Sequence, residues 1–374
     1  MKQRTRTIGA LAALALALGV ALAGCGTPPR AIAPLATSVA GLRFIGEQRV
    51  PHQAMYDGTM LGGFSGLDYD AAAGRWVIAS DDRCTHNPAR FYEAKLDFDA
   101  QAFHAIRFVG VRYFLGREGC NGMDVEAIRV DPRDGSIWYA SEGDRRYGID
   151  PFISHARREG AHLAALPLPE QFRVYKDAER GSRYNATFEG IAFAPGGDSL
   201  WASSEWPLYA DGPLPTSQQG APVRMTQFGR DGTVLRQFAY ELDAIPAPSV
   251  PGKMSENGVS EILTTPDGEL LVLERATVQG ADGRHVNYIR LYATDTRDAS
   301  EVQALPALAG AHYRPARKRL VLDFGTLGLP RIDNLEAMAW GPRLPNGHAT
   351  LVLASDDNFG KSQVSQFLLF EVLP

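Results

Sequence analysis

The chain has 374 residues, of which 45% are hydrophobic, and it carries a formal net charge of -5. This length suffices for a large buried core, and the absence of any basic run longer than 317–319 argues against a nucleic-acid partner. The 38 glycines and 24 prolines make up about a sixth of the chain, which suits many short strands and turns better than long helices.

The N-terminal segment has the features of an export signal. Lys2, Arg4 and Arg6 form a positive region, and an apolar stretch follows over residues 8–21. Residues 22–25 then read Leu-Ala-Gly-Cys, which matches the bacterial lipoprotein box. We therefore predict that residues 1–24 are a lipoprotein signal peptide, with an ordinary signal peptide as the alternative.

Cleavage before Cys25 would leave its sulfur to carry a diacylglyceryl group. Gly26 follows where Asp would signal retention at the inner membrane, which predicts an outer-membrane anchor that faces the periplasm. Residues 25–40 contain Pro28, Pro29 and Pro34 and read as a tether. No later window has 18 uninterrupted apolar residues, so membrane contact is expected through the anchor only. Residues 41–374 form the predicted folded domain.

One pattern occurs five times in this domain. Each copy has a short β-prone run, a turn with Gly, Pro, Asn or Asp, and a second β-prone run that ends in an acidic residue. The copies cover residues 64–82, 125–142, 185–206, 259–274 and 335–356. Trp76, Trp138, Trp201 and Trp340 fall at related strand positions, and we expect them to pack between neighbouring units.

Further strands are predicted between the copies. They cover residues 90–96, 103–113, 223–228, 234–240, 287–293 and 320–324. Between residues 150 and 183, the sequence indicates only one strand, at 172–175. A four-stranded unit that recurs in this way is typical of a β-propeller. We predict an all-β propeller of five blades, with six blades as an alternative. A two-layer sandwich would not account for five matched hairpins.

The two ends of the domain fit ring closure. Residues 367–372 are predicted as the third strand of the last blade. Residues 41–50 are expected to return as the outermost strand of that blade, so that the N-terminal strand closes the ring and removes free sheet edges.

Two cysteines remain after Cys25. Cys84 follows the second strand of the first copy, and Cys120 precedes the first strand of the second copy, so blade geometry places both loops on one face. In an oxidising compartment such a pair favours a disulfide. Two buried thiols are the alternative.

Blade geometry also collects polar side chains at one mouth of the central channel, because first strands start and second strands end on the same face. The first set of equivalent positions holds Ser65, Glu126, Glu189, Ser260 and Glu336. The second set holds Asp81, Glu142, Glu205, Glu274 and Asp356. Clustered carboxylates raise one another's pKa or share a cation. Oxygen ligands without Cys or His favour Ca²⁺, with Mg²⁺ as the alternative.

Basic residues follow several of these acidic positions. Arg83, Arg145, Arg275 and Lys361 are predicted to hold an anionic substrate, since a phosphate or carboxylate needs cations beside a carboxylate-held metal. The alternative is purely structural. Acidic residues at strand ends often accept hydrogen bonds from loop amides, and the arginines would then simply pair with them.

Three stretches carry a resemblance to a known family. They are Asp-Val-Glu-Ala-Ile at 124–128, Thr-Phe-Glu-Gly-Ile at 187–191 and Asn-Leu-Glu-Ala-Met at 334–338, together with the Ser-Asp or Ser-Glu strand ends. The domain at 41–374 resembles the phytase-like family, described as having esterase-like activity of phytase. The resemblance implies a propeller, an exported location and hydrolysis of phosphate or carboxylic esters.

The leading hypothesis is a hydrolase anchored in the cell envelope that cleaves a small-molecule phosphate ester with a divalent metal. Glu126, Glu189 and Glu336 are the predicted catalytic residues, and the second set of carboxylates is the predicted metal site. A metal-dependent lactonase or carboxylesterase is one alternative. A non-catalytic propeller that binds a ligand or protein is the other.

Other hydrolase chemistries find less support in the sequence. No Gly-x-Ser-x-Gly occurs, so Ser65 is interpreted as a repeat-position hydroxyl rather than a nucleophile. The eight histidines form no zinc motif. His86, in the loop of Cys84, is a minor candidate for acid–base catalysis. The sequence does not define a substrate, a protein partner or an oligomeric state.

Overall fold

The computed structural model describes residues 39–115 and 123–374. In chain order its strands are β1 (Gly41–Val50), β2 (Met55–Tyr56), β3 (Thr59–Met60), β4 (Gly66–Asp70), β5 (Arg75–Ser80), β6 (Arg90–Phe98), β7 (Phe103–Tyr113), β8 (Val125–Val130), β9 (Ile137–Ser141), β10 (Phe152–Ala156), β11 (His162–Ala165), β12 (Phe188–Phe193), β13 (Ser199–Ser204), β14 (Ala221–Gly229), β15 (Val234–Leu242), β16 (Ser255–Thr264), β17 (Leu270–Gln279), β18 (His285–Asp295), β19 (Arg317–Asp323), β20 (Leu335–Gly341), β21 (Thr350–Ser355) and β22 (Ser365–Leu373). The helical elements among the described residues are two short 3₁₀ turns, Glu170–Phe172 and Phe324–Leu327.

These strands form a five-bladed β-propeller, as the sequence predicts. Blade 1 is β4-β5-β6-β7, blade 2 is β8-β9-β10-β11, blade 3 is β12-β13-β14-β15 and blade 4 is β16-β17-β18-β19. Blade 5 is β20-β21-β22-β1, and β2 and β3 make a small separate hairpin. The first strands of successive blades contact one another around the ring. They therefore surround the central channel.

The N-terminal strand closes the ring, which confirms the prediction for the two ends. Strand β1 pairs antiparallel with β22, from Gly41 opposite Leu373 to Val50 opposite Ser365. The outer edge of blade 5 is thus built from the opposite end of the chain. Because all five blades are complete, the ring leaves no gap for a sixth.

Apolar contacts between neighbouring blades form the core. Each of five buried clusters joins two adjacent blades. Trp76 of blade 1 packs with Ala339 of blade 5, and Trp201 of blade 3 packs with Ile262 of blade 4. Trp138 packs against blade 3 in the same way. The tryptophans stabilise the blade interfaces, as predicted.

The region between residues 150 and 183 differs from the prediction. Its strands are β10 and β11, both earlier in the chain than the predicted strand at 172–175. Phe172 instead ends a 3₁₀ turn and packs on Phe188 with ring centroids 5.0 Å apart. The apolar side chains at 172–175 serve a packed loop, whereas three of the four residues of β11 are exposed and give little strand signal.

Some predictions fall outside the described residues. Cys25 and the lipoprotein signal lie there, and so does Cys120, so the anchor and the disulfide remain predictions. Among residues 39–115 and 123–374, no helix has the length and hydropathy needed to cross a membrane.

Candidate functional site

A β-bulge near the start of the first strand shapes the channel mouth in four blades. The strand register skips one residue there, and the extra residue is Glu126, Glu189, Ser260 or Glu336. A bulge turns its extra side chain out of the ladder. The three glutamates accordingly line a cavity at the mouth.

The second strands deliver further carboxylates to the same place. Asp81, Glu142, Glu205 and Asp356 each follow the terminal serine of β5, β9, β13 or β21. Asp124, directly before β8, also joins them. Together with the three bulge glutamates they form a group of eight buried or nearly buried carboxyls, which we name the mouth cluster. Its members are Asp81, Asp124, Glu126, Glu142, Glu189, Glu205, Glu336 and Asp356.

Two triads within the mouth cluster have geometry suited to a cation. One oxygen from each of Asp81, Asp124 and Glu126 lies within 4.8 Å of the other two, and the same holds for Glu142, Glu189 and Glu205. Asp81 Oδ1 and Glu142 Oε2 are buried and accept no hydrogen bond from any described residue. Unpartnered buried acceptors are costly unless another group satisfies them.

Burial raises the pKa of every carboxyl in the mouth cluster, and neighbouring carboxylates raise several of them further. The pKa values lie well above their ordinary range for Asp81, Glu126, Glu189, Glu205 and Asp356. Burial raises the pKa of Glu142 to about 7, against the lowering effects of the Thr187 N–H and Arg83. Without a cation, the mouth therefore retains protons at neutral pH.

Two arginines lie inside this acidic group. Arg83 Nε donates to Asp124 Oδ1 at 2.7 Å and lies 3.7 Å from Asp81 Oδ1. Its terminal amino groups have no hydrogen-bond partner among the described residues. Arg275 Nη2 lies 3.1 Å from Glu205 Oε1 and 3.3 Å from Glu336 Oε1. Two guanidinium groups can balance the charge of only two of the eight carboxylates, so the ionised cluster would carry a large net negative charge.

The two serines at bulge-equivalent positions have structural roles. Ser65 Oγ donates to Val125 O at 2.6 Å, and Ser260 Oγ donates to Leu335 O at 3.0 Å. Each bond joins the inner end of one blade to the first strand of the next blade. Because its proton is held by a backbone carbonyl, Ser65 fits the repeat-position role predicted for it.

Glu274 does not belong to the mouth cluster, which corrects its predicted position. The register pairs Val259 with Glu274, so Glu274 is the equivalent of the terminal serines of the other second strands. Its oxygens accept hydrogen bonds from Tyr240, Asn257 and the Asp243 N–H, and it pairs with Lys318.

Arg275 occupies the blade 4 position where the other blades have a carboxylate. The predicted alignment of this repeat is therefore wrong by one residue. Since strand side chains alternate between faces, that shift turns Glu274 away from the mouth and brings Arg275 into it.

The other predicted basic residues have different outcomes. Arg145 does not line the mouth cavity, because Tyr175 O, Ala178 O and the Tyr209 hydroxyl hold its guanidinium. Lys361 is exposed and also lies outside the residues that line the cavity. His86 lines the cavity and packs on Phe359, with ring centroids 4.8 Å apart.

The mouth includes residues that the sequence did not single out. Asp124 stands two residues before Glu126 in the stretch Asp-Val-Glu-Ala-Ile at 124–128. This spacing is the sequence feature that could have indicated it. Glu256 lies 3.7 Å from Arg275 Nη1. The cavity has a volume of about 1250 Å³, and more exposed cationic residues border it, namely Arg284 and Arg331. Its floor is acidic and its rim is partly basic.

Comparison with known proteins identifies a family. The sequence profile described as "Phytase-like: Esterase-like activity of phytase" matches residues 59–359, which include the whole mouth cluster. A search of curated proteins finds no match.

Comparison with solved structures gives distant likenesses. The catalytic domain of an α-L-arabinofuranosidase of family GH62 from Coprinopsis cinerea is 11% identical, with 89% of this chain and 98% of that chain covered and a TM-score of 0.43. A periplasmic gluconolactonase of Pseudomonas aeruginosa is 13% identical, with 84% and 87% covered and a TM-score of 0.35. The Dos1 propeller is 6% identical, with 82% and 66% covered and a TM-score of 0.33. At these values the likenesses carry no argument about activity.

Proposed function

The chain belongs to the phytase-like family, and on that premise we propose that it is a divalent-metal-dependent hydrolase that cleaves a phosphate ester at the acidic mouth of the propeller. The observation that carries this proposal is the convergence of the eight carboxyls of the mouth cluster, six of which line one cavity, with two arginines among them in the described part of the chain. Such an excess of buried acid is stable only with protons or a cation.

The residues present fit a hard divalent cation. All donors in the two triads are carboxylate oxygens, which Ca²⁺ and Mg²⁺ prefer, and no His or Cys belongs to either triad. Asp81 Oδ1 and Glu142 Oε2 are oxygens that a small ion would satisfy although water does not reach them. We propose Glu142, Glu189 and Glu205 as one set of ligands, and Asp81, Asp124 and Glu126 as the other. When bound, the ion would polarise a phosphoryl oxygen and lower the pKa of water.

Glu126 and Glu189 are the members of the two triads best placed for proton transfer, each through the carboxylate oxygen that the cation would leave free. Both line the cavity, and Glu189 accepts no hydrogen bond from any described residue. Without a cation, burial and the neighbouring carboxylates raise the pKa values of both groups. Glu336 is more constrained, because Asn334 Nδ2 donates to it at 2.9 Å and Arg275 lies beside it. We assign Glu336 to holding Arg275.

Cationic groups at the rim favour an anionic substrate. Arg83 is held at one nitrogen by Asp124 and presents its terminal amino groups, which suits a phosphate oxygen. Arg284 and Arg331 border the cavity farther out. An acidic floor that holds a metal and a basic rim that attracts an anion are complementary parts of a phosphate-ester site.

The metal dependence of hydrolysis tests the proposal. The purified chain is incubated with phenyl phosphate, phenyl acetate and δ-valerolactone, with Ca²⁺, Mg²⁺ or a chelator. We expect phosphate release that chelator abolishes and Ca²⁺ restores. Turnover of the acetate or the lactone alone would favour the carboxylesterase or lactonase alternative. A folded protein that is inactive on all three with both metals would favour a binding propeller.

We also propose that the protein is anchored in the cell envelope by a lipid on Cys25, as its N-terminal sequence predicts. Expression in bacteria with radiolabelled palmitate should label the chain and place it in the outer-membrane fraction. Cys25→Ser should abolish the label. Labelling that persists in this variant would contradict the assignment of the lipidated residue.

A further inference from the structure

Blade 4 is longer than the other blades at the mouth. In blades 2, 3 and 5, pairing of the first two strands begins one residue before the bulge. In blade 4 the pairing continues for four residues beyond the equivalent pair, Val259 and Glu274, as far as Ser255 and Val278. Four more residues lengthen the sheet by about 13 Å. We name residues 254–258 and 275–288 the blade 4 arm.

The inner face of the arm is mainly polar, with Met254 at its end, and forms one wall of the cavity. Thr277 pairs with Glu256 on one side and with Asn287 on the other, and all three line the cavity. His285, two residues before Asn287, and Arg284 at the tip line it as well.

The outer face of the arm has a different character. Val278, Val286 and Tyr288 alternate with the inner residues and therefore point away from the cavity. Val286 is 49% exposed and Tyr288 is 36% exposed. Along β17 and β18 in the arm, the polar side chains Thr277, His285 and Asn287 thus lie on the side that faces the mouth.

The inner face offers hydrogen-bond donors. Thr277 Oγ1 donates to Asn287 Oδ1 at 2.9 Å, which leaves the Asn287 amide hydrogens without a partner among the described residues. The His285 imidazole has no hydrogen bond or ion pair within the described chain, and the Arg284 guanidinium is 3.6 Å from Asp282 and largely exposed. A ligand at this wall would bring acceptor oxygens.

The cavity is larger than the reacting group requires. Its volume of about 1250 Å³ exceeds the range of about 300–1,000 Å³ typical of sites for small ligands. Arg275, at the base of the arm, contacts Glu205 and Glu336 of the mouth cluster. The wall is thus continuous with the acidic floor, and one ligand can contact both.

We propose that the blade 4 arm binds the leaving group of the substrate, and that this group is polar, with several hydroxyl or carboxylate oxygens. This inference rests on the proposed function. It assigns substrate specificity to Asn287, His285 and Arg284, residues outside the mouth cluster. An apolar leaving group would leave the hydrogen-bond donors of this wall unsatisfied.

Two phosphate monoesters with different leaving groups test the inference. Glucose 6-phosphate has a polyhydroxylated leaving group, and phenyl phosphate has an apolar one. In the full-length chain, the double variant His285→Ala, Asn287→Ala should lower kcat/KM for glucose 6-phosphate about tenfold, as expected for the loss of two hydrogen bonds. It should change kcat/KM for phenyl phosphate by less than twofold. Val286→Ala, on the outer face, is the matched control and should alter neither.

Equal losses for both esters, or no loss for either, would overturn the inference. If the protein hydrolyses neither ester, the proposed function is contradicted. Calorimetric binding of glucose 6-phosphate then tests the arm by itself. Binding that weakens about tenfold in the double variant, and is unchanged in Val286→Ala, would still support the arm. Absence of binding, or equal binding by all three proteins, would overturn it.

Discussion

At the scale of single residues, the chemistry of the mouth depends on which side of a strand each acidic residue faces. Glu189 and Glu274 are both strand glutamates in neighbouring blades, and both are buried. Glu189 faces the cavity without a hydrogen-bond partner among the described residues. Glu274 is fixed by Tyr240, Asn257 and Lys318. A buried glutamate is thus available to a ligand in blade 3 and is held in a hydrogen-bond network in blade 4.

This contrast gives a matched pair of variants. Glu189→Gln removes a charge needed for metal binding or proton transfer, so we expect hydrolysis to fall by at least about 100-fold. Its thermal stability should be unchanged or higher, because repulsion with Glu205 and Glu142 is relieved. Glu274→Gln breaks a buried ion pair and should cost about 1–3 kcal/mol of unfolding free energy with activity retained.

Kinetic assays and denaturant unfolding measure the two quantities. If Glu189→Gln unfolds as readily as Glu274→Gln and its remaining folded fraction is fully active, Glu189 is structural. That result would support the view that strand-end acids only satisfy loop amides.

At the scale of strands and blades, most of the architecture follows from local sequence. Five runs of β-prone residues with turn residues between them predict the inner hairpins, and Gly268 and Gly347 adopt the left-handed conformation that those turns require. The return of the N-terminal strand follows because an open blade would leave a free edge.

Other features of the blades could not be predicted in this way. A bulge changes the register by one residue, and nothing in the sequence around Ser260 distinguishes Glu274 from Arg275 as the residue at the mouth. Strand β11 is too exposed to give an alternating pattern. The length of the blade 4 arm depends on pairing partners, which periodicity alone does not define. The acidic character of the site was therefore easier to predict than the particular residues that form it.

At the scale of the whole molecule, the ring places the acidic residues of separate repeats at one mouth of the channel. Blades 1, 2, 3 and 5 contribute one, three, two and two carboxyls to the mouth cluster, and these would be solvated in an isolated sheet. Closing the ring brings them together and buries them, so their pKa values rise. Their charged forms are therefore less favourable in the folded state than in the unfolded chain.

The direction of the pH dependence follows from linkage. Between the unfolded carboxyl values near pH 4 and the raised folded values, about 7 for Glu142, the folded state binds more protons than the unfolded state. In the absence of metal, stability contributed by these groups is present at low pH and is lost as pH rises through the folded values. A cation that replaces the protons should stabilise the protein most at high pH.

Thermal unfolding of the purified chain at pH 5 and pH 8, with chelator or with Ca²⁺, tests the central claim most directly. We expect the midpoint in chelator to be lower at pH 8 than at pH 5. Ca²⁺ at about 100 times its dissociation constant should raise the midpoint at pH 8 by about 5 °C, with a much smaller effect at pH 5. A midpoint that neither Ca²⁺ nor Mg²⁺ changes at pH 8 would contradict a metal site in the mouth cluster.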